Sequence, residues 1–114
     1  MIKLAIFENF SISNEDSTDQ SLRPVKVKLN PNKTINILSE YLQKKEHKDF
    51  KVYADNNELF IDDGDFQITY HLLMEYSGKT IIGISVYGEN QRGKTRNKLR
   101  LLLLELKEIL KKYI

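Results

Sequence analysis

The sequence predicts an α+β fold, in which an antiparallel β-meander of about five to six strands carries two helices and the C-terminal helix packs on the sheet. Three observations lead to this prediction. Apolar and polar side chains alternate through residues 66–87 on both sides of a Ser-Gly turn, as in a β-hairpin. Apolar residues at helical spacing follow Asn30-Pro31 and again follow Thr95. The 114 residues, 40% hydrophobic and 30% charged, suit one globular domain over residues 1–114.

Two strands are expected before the first helix. Alternating side chains and β-rich residue types indicate a first strand over residues 2–9. Residues 11–21 have no apolar periodicity and three acidic groups, so they are predicted to form a mobile acidic loop. Pro24 then opens a second strand that continues to Leu29, because a proline costs little at the first position of a strand.

The first helix is predicted to begin at Asn30-Pro31, with the asparagine as N-cap and the proline at the first helical position. Asn32 or Thr34 could cap it instead. The helix is expected to end near residue 48, and its apolar stripe consists of Ile35, Leu38 and Leu42, flanked by Ile37 and Tyr41.

Four strands should follow, separated by turn sequences. They are expected at residues 50–54, 59–61, 66–76 and 80–87, with turns at 55–57, 62–65 and 77–78. One face of the third of these strands is predicted to carry Phe66, Ile68, Tyr70, Leu72, Met74 and Tyr76, and one face of the fourth Ile82, Ile84 and Val86.

The final helix is predicted from about Thr95 to Tyr113. Its continuous apolar face comprises Leu99, Leu102, Leu103, Leu106, Leu110 and Tyr113. Leu101 and Leu104 project roughly opposite that face. A second apolar side on a helix indicates either deep burial or another contact, and we expect a contact with a protein partner or with a second copy of the chain.

Charge is distributed unevenly along the chain. Residues 1–89 carry a balance of −4 and residues 90–114 a balance of +6, which can steer an acidic partner toward one end. The basic side chains can track phosphates or can cover the edge of the apolar face while their charged ends stay in water. They are Arg92, Lys94, Arg96, Lys98, Arg100, Lys107 and Lys111.

The sequence offers little support for catalytic or metal chemistry. Without cysteine, a disulfide framework, a thiolate zinc site and a thiol nucleophile are excluded. His71 lies on the polar side of a strand, either as a surface residue or as a general acid or base. Neither histidine has a second ligand at helical spacing. The run Asp62–Asp65 lacks the spaced ligands of an EF-hand, so turn formation explains it. We expect no cofactor and no metal.

Residues 88–95 contain the glycine, lysine and threonine spacing of a phosphate-binding loop between a strand and a helix. A nucleotide-hydrolysing fold would also need a parallel sheet and a later acidic strand to hold magnesium, and no such strand can follow. An anion site at the helix N-terminus remains an alternative.

The strand pair from Phe66 to Tyr87, followed by basic residues, resembles in pattern the core of small RelE-type ribonuclease toxins. The resemblance covers about a fifth of the chain. The two early strands and the long final helix depart from it, and it assigns no site residue.

These observations favour a non-enzymatic protein-binding module, of the inhibitor or immunity type, that occludes a protein partner. Its predicted contacts are Leu101, Leu104, Glu15, Asp16 and Asp19. The alternative is a nucleic-acid-binding protein or a small toxin-like ribonuclease that uses His71 and the basic segment 92–100. Possible partners are therefore a protein, a second copy through the C-terminal helix, or nucleic acid. No membrane association is expected, and the expected location is cytoplasmic.

Overall fold

The computed structural model describes residues 9–44, the backbone of residues 49–53, and residues 57–114. It confirms the α+β fold, with two helices and an antiparallel sheet of strand order β1-β6-β5-β4-β3, and β2 pairs with β6 beside β1. The elements are β1 (Phe10–Ile12), β2 (Val25–Val27), α1 (Pro31–Gln43), β3 (Asp49–Tyr53), β4 (Glu58–Asp62), β5 (Gln67–Met74), β6 (Thr80–Tyr87) and α2 (Thr95–Ile109), with 3₁₀ turns at Gln20–Leu22 and Lys111–Tyr113.

The first helix begins where the sequence predicts. The side chain of Asn30 accepts a hydrogen bond from the backbone N–H of Lys33 at 2.9 Å, and Pro31 follows it at the first helical position. The cap satisfies a donor that has no partner inside the helix. The helix ends at Gln43, earlier than predicted, and residues 45–48 lie outside the described part of the chain.

The N-terminal region differs from the prediction. Residues 2–8 of the predicted first strand lie outside the described residues. A strand is present at Phe10–Ile12, so the beginning of the predicted loop 11–21 is extended and pairs with β6. The end of that loop forms a 3₁₀ turn, capped by the side chain of Asp19. Periodicity missed both features because three residues are too few to show it.

The meander is confirmed in its two described turns and in the buried faces of β5 and β6. Gly64 and Gly78 adopt φ of 97° and 84° in these turns, where glycine avoids a steric penalty. The predicted β5 face is correct up to Leu72. Met74 and Tyr76, however, are exposed, because β5 ends at Met74 and the chain turns away.

Both helices pack on one face of the sheet. Cross-strand pairs such as Tyr70 with Ile84 and Leu72 with Ile82 lie on this face, and they are buried together with the apolar stripes of α1 and α2. No described helix or strand covers the opposite face, which we call the outer face. Neither α1 nor α2 is long and apolar enough to cross a membrane.

Candidate functional site

Two basic side chains of α2 form ion pairs with carboxylates elsewhere in the fold. The guanidinium of Arg100 donates to the carboxylate of Asp19 at 2.9 Å and to the hydroxyl of Ser21 at 2.9 Å. Hydrogen bonds from Ser21 and then from Arg100 lower the pKa of Asp19 to about 2. The ammonium of Lys98 lies 3.4 Å from the carboxylate of Asp63 and over the ring of Phe66. Two of the seven predicted phosphate contacts therefore already have acidic partners.

The other five cations extend from the loop before α2 to the 3₁₀ turn after it. Arg92, Lys94, Arg96 and Lys111 are exposed, and Lys107 is half-buried. The sequence predicted these five residues, together with Lys98 and Arg100, as candidate phosphate contacts. Lys98 and Arg100, which lie between Arg96 and Lys107 on the helix, are paired with Asp63 and Asp19.

The acidic and apolar residues predicted as partner contacts do not form one surface. Asp19 is bound to α2 through Arg100, and Glu15 lies 3.7 Å from Lys26. Leu101 and Leu104 are 55% and 51% exposed, as their angular position on the helix predicted. Leu101 borders a groove lined by Ile61 and Tyr70 on the helix side of the sheet, whereas Glu15 and Asp16 border the outer face.

The outer face carries exposed apolar side chains that the sequence analysis did not identify as a surface. Leu73 is 68% exposed and Ile12 55% exposed, and Phe10 and Tyr87 lie beside each other on β1 and β6 with 44% and 40% exposure. The sequence analysis treated this side of β5 as polar because Gln67, Thr69 and His71 dominate it.

A groove of about 370 Å³ crosses the outer face beside the edge of β6 between β1 and β2, where Ser13 hydrogen-bonds both backbone groups of Ile84. Ile12, Leu73 and Ile81 form apolar walls, and Glu15 and Asp16 lie at one end. Its floor is formed by Gly83, which pairs directly with His71. A Cβ atom at Gly83 would lie 3.1 Å from Oγ of Ser13, so glycine keeps the floor open.

His71 connects two polar side chains across three strands. Its Nδ1 lies 2.9 Å from a carboxylate oxygen of Glu58 on β4, and its Nε2 lies 3.1 Å from Oγ of Ser85 on β6. The sequence analysis predicted the position of His71 on the polar side but neither of its partners. The strand register would have identified both partners. Glu58 pairs with His71 on one side, and Ser85 follows two residues after Gly83, which pairs with His71 on the other side.

The segment between β6 and α2 does not form an open phosphate-binding loop. The N–H groups of Gln91 and Lys94 donate to the carbonyls of Gly88 and Gln91, at 3.0 Å each. The hydroxyl of Thr95, which would hold magnesium in a nucleotide-binding loop, is buried and lies 2.8 Å from the hydroxyl of Ser11.

The aspartates of the turn between β4 and β5 bind the backbone of that turn. The side chains of Asp62 and Asp63 accept hydrogen bonds from the N–H groups of Gly64, Asp65 and Phe66. These are the bonds by which aspartate stabilises a turn. In the described part of the chain, no three or more histidine, aspartate or glutamate side chains are grouped as metal ligands.

Comparisons of the chain with protein-family models, with curated proteins and with solved structures found no match.

Proposed function

We propose that this protein is a binding module of the inhibitor or immunity type, which occludes a protein partner in the cytoplasm. The contact surface is the outer face of the sheet, centred on the groove beside Leu73. One observation carries the proposal: four large apolar side chains are exposed on a face that no described element covers, namely Phe10, Ile12, Leu73 and Tyr87.

Burial of these side chains supplies a driving force for association. Exposed apolar surface that is contiguous commonly marks an interaction site in a soluble domain. Aromatic residues are enriched among the positions that carry most of the binding energy in protein interfaces. Phe10 and Tyr87 pair across the β1–β6 ladder and therefore offer one rigid aromatic patch at the edge of the sheet.

The charges around the groove indicate which partner fits. Glu15 and Asp16 line it, and Glu58 lies behind His71. The carboxylate of Asp16 has no ion-pair partner among the described residues. A basic partner surface with apolar side chains would complement this arrangement, and such complementarity contributes to specificity and to the rate of association.

The alternative of nucleic-acid binding has weaker geometric support. Phosphate binding requires free cations, but Lys98 and Arg100 have acidic partners. A ribonuclease that uses His71 together with segment 92–100 would need both at one site. His71 lies on the outer face, and α2 packs on the opposite face.

Affinity capture with variants of two faces tests the proposal. Lysate, with and without nuclease treatment, is passed over the wild type, over Ile12→Lys with Leu73→Lys, and over Leu101→Lys with Leu104→Lys. The last pair is a matched control, because it makes the same chemical change at similarly exposed leucines on the other side. We expect the captured protein to be lost, by at least tenfold, with the outer-face variant only.

Two results would contradict the proposal. Loss of the captured protein with the α2 variant alone would place the contact on the helix. Capture that disappears after nuclease treatment, together with salt-sensitive binding of a labelled RNA or DNA by the wild type, would support the nucleic-acid alternative. Circular dichroism of each variant establishes that it is folded.

A further inference from the structure

On the outer face, three side chains are hydrogen-bonded in the order of a nucleophile, its general base and the group that orients the base. The β4–β5–β6 register sets Glu58 directly beside His71, and Ser85 stands diagonally across from it. The two hydrogen-bond distances, 2.9 Å and 3.1 Å, fall in the range expected for such a chain. All three side chains belong to paired strands rather than to loops, so their backbone positions are held by the sheet.

The two nitrogen atoms of His71 are arranged in the order that base catalysis requires. The carboxylate of Glu58 is an acceptor, so it favours the tautomer with a proton on Nδ1. Nε2 then has a free lone pair directed at Ser85, and the serine hydroxyl donates to it. Glu58 would also stabilise the imidazolium formed when His71 takes that proton.

A groove for a substrate adjoins Ser85, because two neighbours of Ser85 line it: His71, which is hydrogen-bonded to Ser85, and Ile12, which pairs with Ser85 across β1 and β6. His71 and Gly83 line the groove of about 370 Å³, whose walls include Ile12, Leu73 and Ile81. On β5, Thr69 pairs directly with Ser85, and side chains in such a pair are close enough to share one bound group. The hydroxyl of Thr69 can therefore donate to an oxygen atom bonded to the carbon under attack.

We propose that Ser85 is the nucleophile of an acyl-transfer site, that His71 is its general base, and that the substrates are esters of small apolar acids. Glu58 is a positioning residue. This activity goes beyond the proposed partner binding and does not depend on it.

The reaction proceeds in two balanced steps. The Ser85 proton passes to Nε2 of His71 while Oγ bonds to the ester carbonyl carbon. The carbon–oxygen bond to the alcohol then breaks, and the alcohol leaves with the proton from His71. In the second step water gives a proton to His71 and attacks the acyl-serine, and the proton returns to Oγ of Ser85 as the carboxylic acid departs.

Covalent labelling with an alkyl fluorophosphonate tests the assignment. We expect one phosphonyl group per wild-type chain by intact mass spectrometry, located on Ser85 by peptide mapping. The label should be absent from Ser85→Ala and retained in Ser77→Ala, a matched control in the exposed β5–β6 turn. His71→Gln should slow labelling by about a hundredfold or more, which is the usual contribution of a positioned base.

The release of nitrophenol from 4-nitrophenyl butyrate provides a second readout. Ser85→Ala should abolish the rate above that of buffer. Glu58→Gln should lower it, and Glu58→Asp should restore part of it, which a purely structural role would not produce. The proposal is overturned if folded wild type takes no label at Ser85, or if His71→Gln is labelled as fast as wild type.

Discussion

Replacing Leu103 by alanine tests the assignment of the two sides of α2, because its neighbour Leu104 provides a matched comparison. Leu103 is 0% exposed and belongs to the core shared with the sheet, whereas Leu104 is half-exposed. Truncating a fully buried leucine removes its transfer free energy and leaves a cavity, at a cost of about 2–5 kcal/mol. A domain of this size is stable by only about 5–15 kcal/mol.

The expected result is a Leu103→Ala protein that still folds but melts about 8–20 °C lower than the wild type. Leu104→Ala should change the free energy of unfolding by no more than about 0.5 kcal/mol, because alanine is a good helix former and little packing is lost. Urea titrations followed by circular dichroism give both values, provided that the m-value is unchanged. Leu103→Asp, which would bury an unpaired charge, should prevent folding.

Equal losses for the two variants would refute the assignment of the two faces. A loss at Leu104 that grows on dilution has a different meaning, because only an oligomer has a stability that depends on protein concentration. The titration is therefore repeated at two protein concentrations that differ about a hundredfold.

Three further predictions follow from single contacts. The pKa of Asp19 is about 2, below its ordinary 3.8, so its contribution to stability is present above pH 4 and lost as pH falls towards 2. The difference in melting temperature between wild type and Asp19→Asn should therefore shrink over that interval, and a constant difference would contradict the ion pair. Asn30→Ala should cost about 1 kcal/mol by removing the cap of α1, whereas Asn32→Ala, two residues further on, should cost much less; equal costs in urea titrations would exclude the cap. Leu101→Lys with Leu104→Lys should stay folded, and light scattering should show a monomer; if the wild type is also monomeric, the predicted α2 homodimer is wrong.

The sequence predicted those features of the fold that depend on residues close together in the chain. The cap at Asn30 depends on two adjacent residues, and the glycine turn at Gly78 depends on one backbone angle. The buried faces of β5 and β6 follow from alternation alone. Alternation failed at Met74 and Tyr76, because it shows which side a residue faces but not where the partner strand stops.

The candidate sites could not be predicted in the same way, because they depend on pairing between distant residues. Asp19 and Arg100 are separated by 81 positions in sequence, and they appeared in two competing predicted sites before the structure joined them. In the sequence, Glu58 and Ser85 carry no signal of a site, and His71 stands alone as a candidate acid or base without a partner. A shift of one residue in either strand pair would turn a side chain to the other face and separate them.

β1 and β2 both pair with the same edge of β6, so the fold cannot be completed before β6 is available. Ser13 binds Ile84 across 71 positions of sequence, and Ser11 reaches Thr95 across 84. Contacts between residues so far apart form slowly, because the intervening chain must be ordered before the contact stabilises it. During synthesis β1 and β2 have no strand to pair with until residues 80–87 have left the ribosome. Until then their extended, partly apolar segments remain open to chaperones or to pairing with another chain.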